Sequence, residues 1–204
     1  DQSDIQHVVE YLIDQGVTDF DFILSHLPEK LETLLGDGQR WGSTFRYHLI
    51  RDPYHPYQVL RHISLPDTPI VLAHADRLPE CQIVSDKNKS NIFCHTSAVD
   101  GTMKWTGWAW LTPSDYAALP ENTDEAALEQ VLLTSAEADQ IGAVPRLLST
   151  QSFTELLTSN HQVLSGDFPV RLLTGTQLEE GIWISRNVNL HPTARLTAPL
   201  FIGE

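Results

Sequence analysis

Pro69-Ile70-Val71-Leu72-Ala73-His74-Ala75-Asp76 is the stretch on which the fold turns. Its apolar residues run almost unbroken, as in a strand covered on both faces; a strand with one wet face would alternate. The segments before it supply the covers. Ile5, Val8, Val9 and Leu12 recur at helical spacing and Gly16 ends the run, while Phe20, Phe22 and Leu24 alternate across Asp19 to Leu24. Pro28 opens a second helix, striped by Leu31, Leu34 and Leu35 and stopped by Gly36. Phe45, Tyr47 and Leu49 then mark a strand over Thr44 to Ile50, and a short helix follows around Tyr57 to Ile63. Strands and helices in alternation predict an α/β fold with a mostly parallel sheet.

The end of the chain follows another rule. Ile184, Leu190, Leu196 and Ile202 recur every six residues, and Ile182, Val188, Ala194 and Leu200 form a second series in phase with the first. Neither the two-residue period of a strand nor the 3.6-residue period of a helix produces this pattern. A left-handed parallel β-helix does, with one hexapeptide on each flat face and aliphatics pointing inward. Pro192, Pro199, Asn187 and Gly203 punctuate the run where corners fall. The run makes little more than one coil, which cannot bury its faces without stacked neighbours. The expected organisation is therefore an α/β domain over 1–180 and the first coil of a β-helix over 181–204.

Composition narrows the function classes. Among 204 residues, 13 basic against 27 acidic side chains give a formal charge of -14, which repels a phosphate backbone and argues against nucleic acid as a partner. No apolar run reaches membrane-spanning length and no secretory leader pattern opens the chain, so a cytoplasmic protein without membrane attachment is expected. Cys81 and Cys94, the only cysteines, read as two ordinary thiols. Trp108 and Trp110 share one face of a strand, where core packing outweighs sugar stacking. His191 lies within the hexapeptide run, where some acyltransferases keep a general base, but a solvent-facing corner is the better reading because no residue that would orient it can be named. Glu121, Asp124 and Glu125 complement the dipole of a helix through Ala126 to Leu133.

The order of these segments resembles the nucleotide-sugar pyrophosphorylases, the sugar-1-phosphate nucleotidyltransferases. The resemblance rests on Gly16-Val17-Thr18, Phe22 to Leu27, the helix from Pro28, and Gly36-Asp37-Gly38-Gln39-Arg40-Trp41-Gly42 before the strand with Tyr47. It continues in Pro69 to Asp76, similar to a buried strand ending in Gly-Asp, and in Thr106-Gly107-Trp108-Ala109-Trp110-Leu111. Ser149-Thr150-Gln151-Ser152-Phe153 and the helix through Asn160 to Leu164 resemble the family's Gly-Thr-Pro-Glu-Asp-Tyr element and the helix after it. Several members carry a left-handed β-helix next. The resemblance implies a Rossmann-like nucleotidyltransferase domain, Mg2+ as cofactor, a sugar phosphate or nucleotide sugar as partner, and Asp76 as a metal ligand. It also implies a homo-oligomer, or a partner subunit held through the β-helix.

In such chemistry a sugar-1-phosphate oxygen attacks the α-phosphate of a nucleoside triphosphate and pyrophosphate leaves, so charge must be neutralised by magnesium and basic side chains. Several departures from the family pattern stand against it. The matching position for the second metal aspartate is Leu147, and leucine cannot coordinate magnesium. His55-Pro56-Tyr57-Gln58-Val59 replaces a Leu-Gly-Thr-Ala-Gly loop, removing the close backbone approach that glycine permits. The glycine-rich triphosphate signature is missing, since the resemblance places the start of this sequence after the strand and loop that carry it. No Glu-Lys-Pro element meets the sugar phosphate; Asp86-Lys87-Asn88-Lys89 is the nearest basic cluster and reads as a solvated loop. Three readings follow: a nucleotidyltransferase whose signature lies elsewhere, a degenerate relative that senses a sugar nucleotide or serves assembly, and a hexapeptide acyltransferase using His191. The internal departures favour the second.

Overall fold

The computed structural model describes residues 4–63, 67–83, 88–97, 101–120, 124–168 and 175–203. Helix α1 (Asp4–Asp14) turns Val8, Val9, Tyr11 and Leu12 inward. Strand β1 (Asp19–Leu24) follows, then helix α2 (Pro28–Leu35) and strand β2 (Thr44–Leu49). Pro28 starts α2 where a missing N–H is harmless, and the Gly36 amide closes it on the Glu32 carbonyl. Gly38 is required by contact: at φ 90° a Cβ there would meet the Ser43 carbonyl oxygen at 2.5 Å. β1 and β2 pair in parallel with Phe20 opposite Phe45 and Phe22 opposite Tyr47. That register stacks the rings on one face, with centroids 5.1 Å and 5.2 Å apart, and holds the pair together through aromatic contact.

A 3-10 helix (Pro56–Arg61) leads toward strand β3 (Ile70–Ala73). The chain then forms β4 (Arg77–Pro79), β5 (Asn91–Thr96), β6 (Met103–Leu111), α3 (Pro113–Ala117), α4 (Glu125–Ser135), β7 (Ile141–Ala143), β8 (Leu147–Ser149) and α5 (Phe153–Leu164). A four-stranded sheet runs in the order β3-β6-β5-β7. Its pairing is mixed rather than mostly parallel: β5 and β7 are parallel, whereas β6 runs antiparallel to both β3 and β5. The reason is connection length. Only a short loop joins β5 to β6, and a parallel pair needs a crossover of a dozen or more residues. β4 pairs antiparallel with β8 beside this sheet.

Two apolar clusters lie against the sheet. Val8, Val9, Leu12, Phe20 and Trp108 belong to one, and Leu72, Ile92, Trp105, Leu128 and Leu132 to the other. The expectation for β3 is met, since Val71 and Ala73 pack against the first cluster while Ile70 and Leu72 belong with the second. Trp108 is fully buried and Trp110 packs against the same cluster, so the tryptophan pair is core. Cys81 and Cys94 are free thiols; burial pushes them up to about 12 and about 11. No helix among the described residues is long and apolar enough to cross a membrane.

The tail forms a three-stranded sheet of β9 (Thr176–Glu179), β10 (Ile182–Ile184) and β11 (Leu200–Ile202). β9 is antiparallel to β10, while β10 and β11 pair in parallel with Ile182 opposite Leu200 and Ile184 opposite Ile202. Both partners in each case come from one hexapeptide series, three repeats apart. Val188, Leu190 and Leu196 between them are half-buried, and their neighbours Asn187, Asn189 and Arg195 are exposed.

Candidate functional site

The site forms where β3 ends. Its last residues turn away from the sheet at His74, whose amide donates to the Gly107 carbonyl at 3.2 Å. The indole N–H of buried Trp108 donates to the carbonyls of His74, at 3.1 Å, and Arg77, at 2.9 Å. One core side chain thus ties down the whole turn and satisfies its own polar atom. Gly107 is demanded here: its φ is 81°, and a Cβ would meet the His74 ring at 2.8 Å.

The His74 ring faces three groups. Its Nε2 is 2.6 Å from the Tyr57 hydroxyl, its Nδ1 is 3.8 Å from a Glu125 carboxylate oxygen, and Trp105 meets it edge-on at 5.3 Å. Burial lowers the His74 pKa, and nearby Arg77 adds to that, against the opposite pull of Glu125 and Asp76. Burial likewise raises the Tyr57 pKa, so the hydrogen-bonded pair is neutral near pH 7. With the ring proton on Nδ1, toward Glu125, Nε2 accepts from Tyr57. The bulky residue in the replaced glycine loop is therefore a core side chain, 5% exposed, holding a histidine in place.

Asp76, the residue singled out for metal binding, sits beside a buried cation. Arg77 is 7% exposed; its Nε lies 3.3 Å from Asp76, in ionic contact without hydrogen-bond alignment, and its Nη2 bonds to Glu125. The guanidinium stands between two carboxylates, where a divalent ion would have to stand to use both. The Asp76 carbonyl accepts from the Thr150 amide at 3.0 Å, which joins the turn to the end of β8. Leu147, at the place of the second metal aspartate, pairs with Pro79 in the β4–β8 ladder. Among the described residues no group of three His, Cys, Asp or Glu could hold a metal ion. In this structure both carboxylates, Asp76 and Glu125, are balanced by the Arg77 guanidinium.

Beside the turn opens a cavity of about 1510 Å3, bounded by β1, β3, α1 and the segment around Tyr57. Its described wall carries the carboxylates of Asp19, Asp21, Asp124 and Glu125 against a single arginine, Arg46. That arginine is engaged, with Nη2 2.8 Å and Nη1 3.4 Å from Asp21 and Asp19. Exposed Tyr54 offers an aromatic face at the same wall.

Of the residues named from sequence, Asp76 reaches the site and His191 does not. His191 is exposed in the tail and bonds to Thr193 Oγ1 at 2.7 Å, a local turn contact. Asp86 and Lys87 of the basic cluster lie outside the described residues, as does Glu121; Lys89 pairs with Asp139. Glu125, read as a complement to the α4 dipole, also bridges to Arg77, and Asp124 caps α4 by accepting from the Ala127 amide at 2.8 Å. The roles of Tyr57, His74 and Arg77 have no local sequence signal, because they arise from contacts between separate elements.

No protein-family model matches this sequence, and no curated protein matches it at a significant level. Solved structures do match in fold. A Bacillus anthracis protein assigned as a glucose-1-phosphate thymidylyltransferase, in complex with sucrose, superposes with a TM-score of 0.61 at 12% identity, covering 85% of each chain. HddC from Yersinia pseudotuberculosis, complexed with GMP-PN, gives 0.55 at 12% identity over 76% of this chain and 83% of its own. A second HddC structure gives 0.52 at 12% identity, over 75% and 82%. This chain shares the mixed α/β fold of these structures.

Proposed function

We propose that this chain is a nucleotidyltransferase-like domain that binds a sugar phosphate or nucleotide sugar at the carboxyl end of β3 without completing nucleotidyl transfer. The observation that carries the reading is Arg77, a buried cation held between Asp76 and Glu125 where the reaction needs a metal. Transfer would bring a triphosphate and a sugar phosphate together, and their charge has to be neutralised at the reacting phosphorus. Here the cavity wall has more carboxylates than cations and its arginine is already paired. A nucleotide sugar asks less: fewer charges, an aromatic face such as Tyr54, and polar groups at the end of a strand in an α/β sheet. Neutral, hydrogen-bonded His74 and Tyr57 suit neutral hydroxyls better than a developing charge.

The same reading gives the tail a structural role. The parallel match of Ile182 with Leu200, three hexapeptides apart, supports a first coil of a left-handed β-helix over 181–204 that mediates assembly. Calorimetric titration with a panel of nucleotide sugars and sugar phosphates, with and without EDTA, tests the binding claim. The expected result is saturable binding of at least one nucleotide sugar that survives EDTA. Heat-silent titrations throughout, with no thermal shift, would remove the reading.

A further inference from the structure

The outer side of α5 is bare. Phe153, Leu156 and Leu157 are 74%, 42% and 54% exposed, and no other helix among the described residues exposes a large apolar side chain. None of the three lines the cavity beside β3. At 3.6 residues per turn, Phe153, Leu157 and His161 form one stripe, with Leu156 at its flank and Leu164 as its next member. The two ends of the stripe differ. Leu164 is buried, and the Trp183 indole of the tail donates to its carbonyl at 3.3 Å, whereas His161, Leu157 and Phe153 are exposed.

Charge decides what can cover it. The chain carries a formal charge of -14, and α1 and α2 turn Asp4, Asp14, Glu29 and Glu32 to solvent. α5 has a single carboxylate, Glu155, which lies almost across the helix from Leu157 and accepts from the Ser149 hydroxyl at 3.0 Å. The apolar stripe is thus free of acid in a strongly acidic protein. A basic partner is drawn to the rest of the surface, and an anionic membrane is repelled by the chain as a whole. Two copies of the chain repel each other in the same way. A helical face without carboxylates is where that repulsion is smallest and where apolar area is available to offset it.

The order of residues fits a two-fold contact. Phe153 and His161 each stand four residues from Leu157, one on either side. Two α5 helices packed antiparallel about Leu157 set that leucine on its own copy and lay each Phe153 ring against the His161 ring of the other chain, so one patch serves both sides. We propose that α5 is a homodimer surface, on which Phe153, Leu157 and His161 meet the same residues of a second copy across a two-fold axis. Three apolar side chains a side are few beside the roughly 20–30 residues of a stable interface, so the dimer is weak and concentration-dependent. This contact is separate from assembly through the tail and independent of nucleotide-sugar binding.

Sedimentation velocity of the whole chain between about 5 and 500 µM, in low and high salt, tests the proposal. The expected result is a reversible monomer–dimer equilibrium that tightens as salt rises from about 0.1 to 1 M, because screening removes the repulsion and leaves the apolar contact. Leu157→Glu sets two carboxylates on the axis and should raise the dissociation constant by about tenfold or more, with the melting temperature unchanged because the site is exposed. On mild oxidation Leu157→Cys should cross-link to itself faster than Thr158→Cys, which lies off the stripe. A monomer at every concentration and salt would overturn the proposal. So would an oligomer indifferent to Leu157→Glu, which would run through the tail, or one that weakens in salt, which would rest on ion pairs. Equal cross-linking of the two cysteine variants would contradict a two-fold axis at Leu157.

Discussion

The Nε of Arg77 lies 3.3 Å from a carboxylate oxygen of Asp76, and the same guanidinium reaches Glu125 through Nη2. Removing it leaves two carboxylates unbalanced next to a buried histidine. Arg77→Met should destabilise the fold by about 1–3 kcal/mol, below the figure for a fully buried pair because both acids are nearly half exposed. The variant should also regain stability in millimolar magnesium, which would take the place of the guanidinium, whereas the unaltered protein should melt at the same temperature with or without it. Thermal melts in magnesium and in EDTA read both effects. An equal magnesium response in the two proteins would show that Arg77 does not stand in for a metal.

Gly107 and His74 are packed so closely that no side chain fits between them. Gly107→Ala adds a Cβ at a positive φ and at 2.8 Å from the ring, so a loss of about 1–3 kcal/mol is expected in urea denaturation. In a His74→Ala background the ring contacts should disappear, leaving only the 3.0 Å approach to the Cβ of residue 74, and the loss should shrink. Additive losses would mean that backbone strain alone is responsible.

Acid should act on the fold through His74. Burial lowers its pKa in the folded protein from the ordinary histidine value of about 6.5. The unfolded chain therefore binds a proton at a higher pH than the folded one, and this group makes stability fall as pH drops below about 6.5 until the folded value is passed. Glu125 and Asp76 oppose the shift and Arg77 reinforces it. His74→Gln should flatten this part of the stability profile between about pH 7 and 5. Parallel profiles for the two proteins would contradict neutral burial.

Asp21 contributes in the opposite range. Hydrogen bonding from Arg46 holds its carboxyl below the usual carboxylate range, with His48 2.7 Å away adding to the effect. Its stabilisation is present above about pH 4 and is lost as pH falls through the folded value. Arg46 is half exposed, so Asp21→Asn should remove no more than about 1 kcal/mol at pH 7, with the difference vanishing in acid.

The tail should melt on its own. Ile182 is 4% exposed, and the Trp183 indole N–H reaches the Leu164 carbonyl at 3.3 Å. If the β9-β10-β11 sheet is a unit separate from the rest of the chain, Ile182→Asn should speed exchange in those three strands and leave β3, β5 and β6 unchanged. Uniform loss of protection across the chain would join the two regions into one cooperative unit.

What could be read from sequence was local. β1 and α2 fall at Asp19–Leu24 and Pro28–Leu35, where an alternation, a proline and a glycine announced them. The double-sided burial of β3 was visible in its unbroken apolar run. The direction of its neighbour was not, because β6 begins at Met103 and nothing near Ile70 encodes that pairing. The site suffered the same way. Arg77 and Glu125 are 48 residues apart, and Tyr57 and His74 are 17 apart on different elements. Asp76 was singled out because the resemblance set it at the end of a buried strand, whereas its contact with Arg77 beside it could not be read from the sequence.

The most direct measurement is pyrophosphate release. The protein is incubated with each nucleoside triphosphate and a panel of sugar-1-phosphates in magnesium, and pyrophosphate is followed by a coupled phosphate assay. The account predicts no release above the no-enzyme rate, from a protein that binds a nucleotide sugar in EDTA. Magnesium-dependent release that saturates with sugar-1-phosphate and is lost in Asp76→Asn would contradict it.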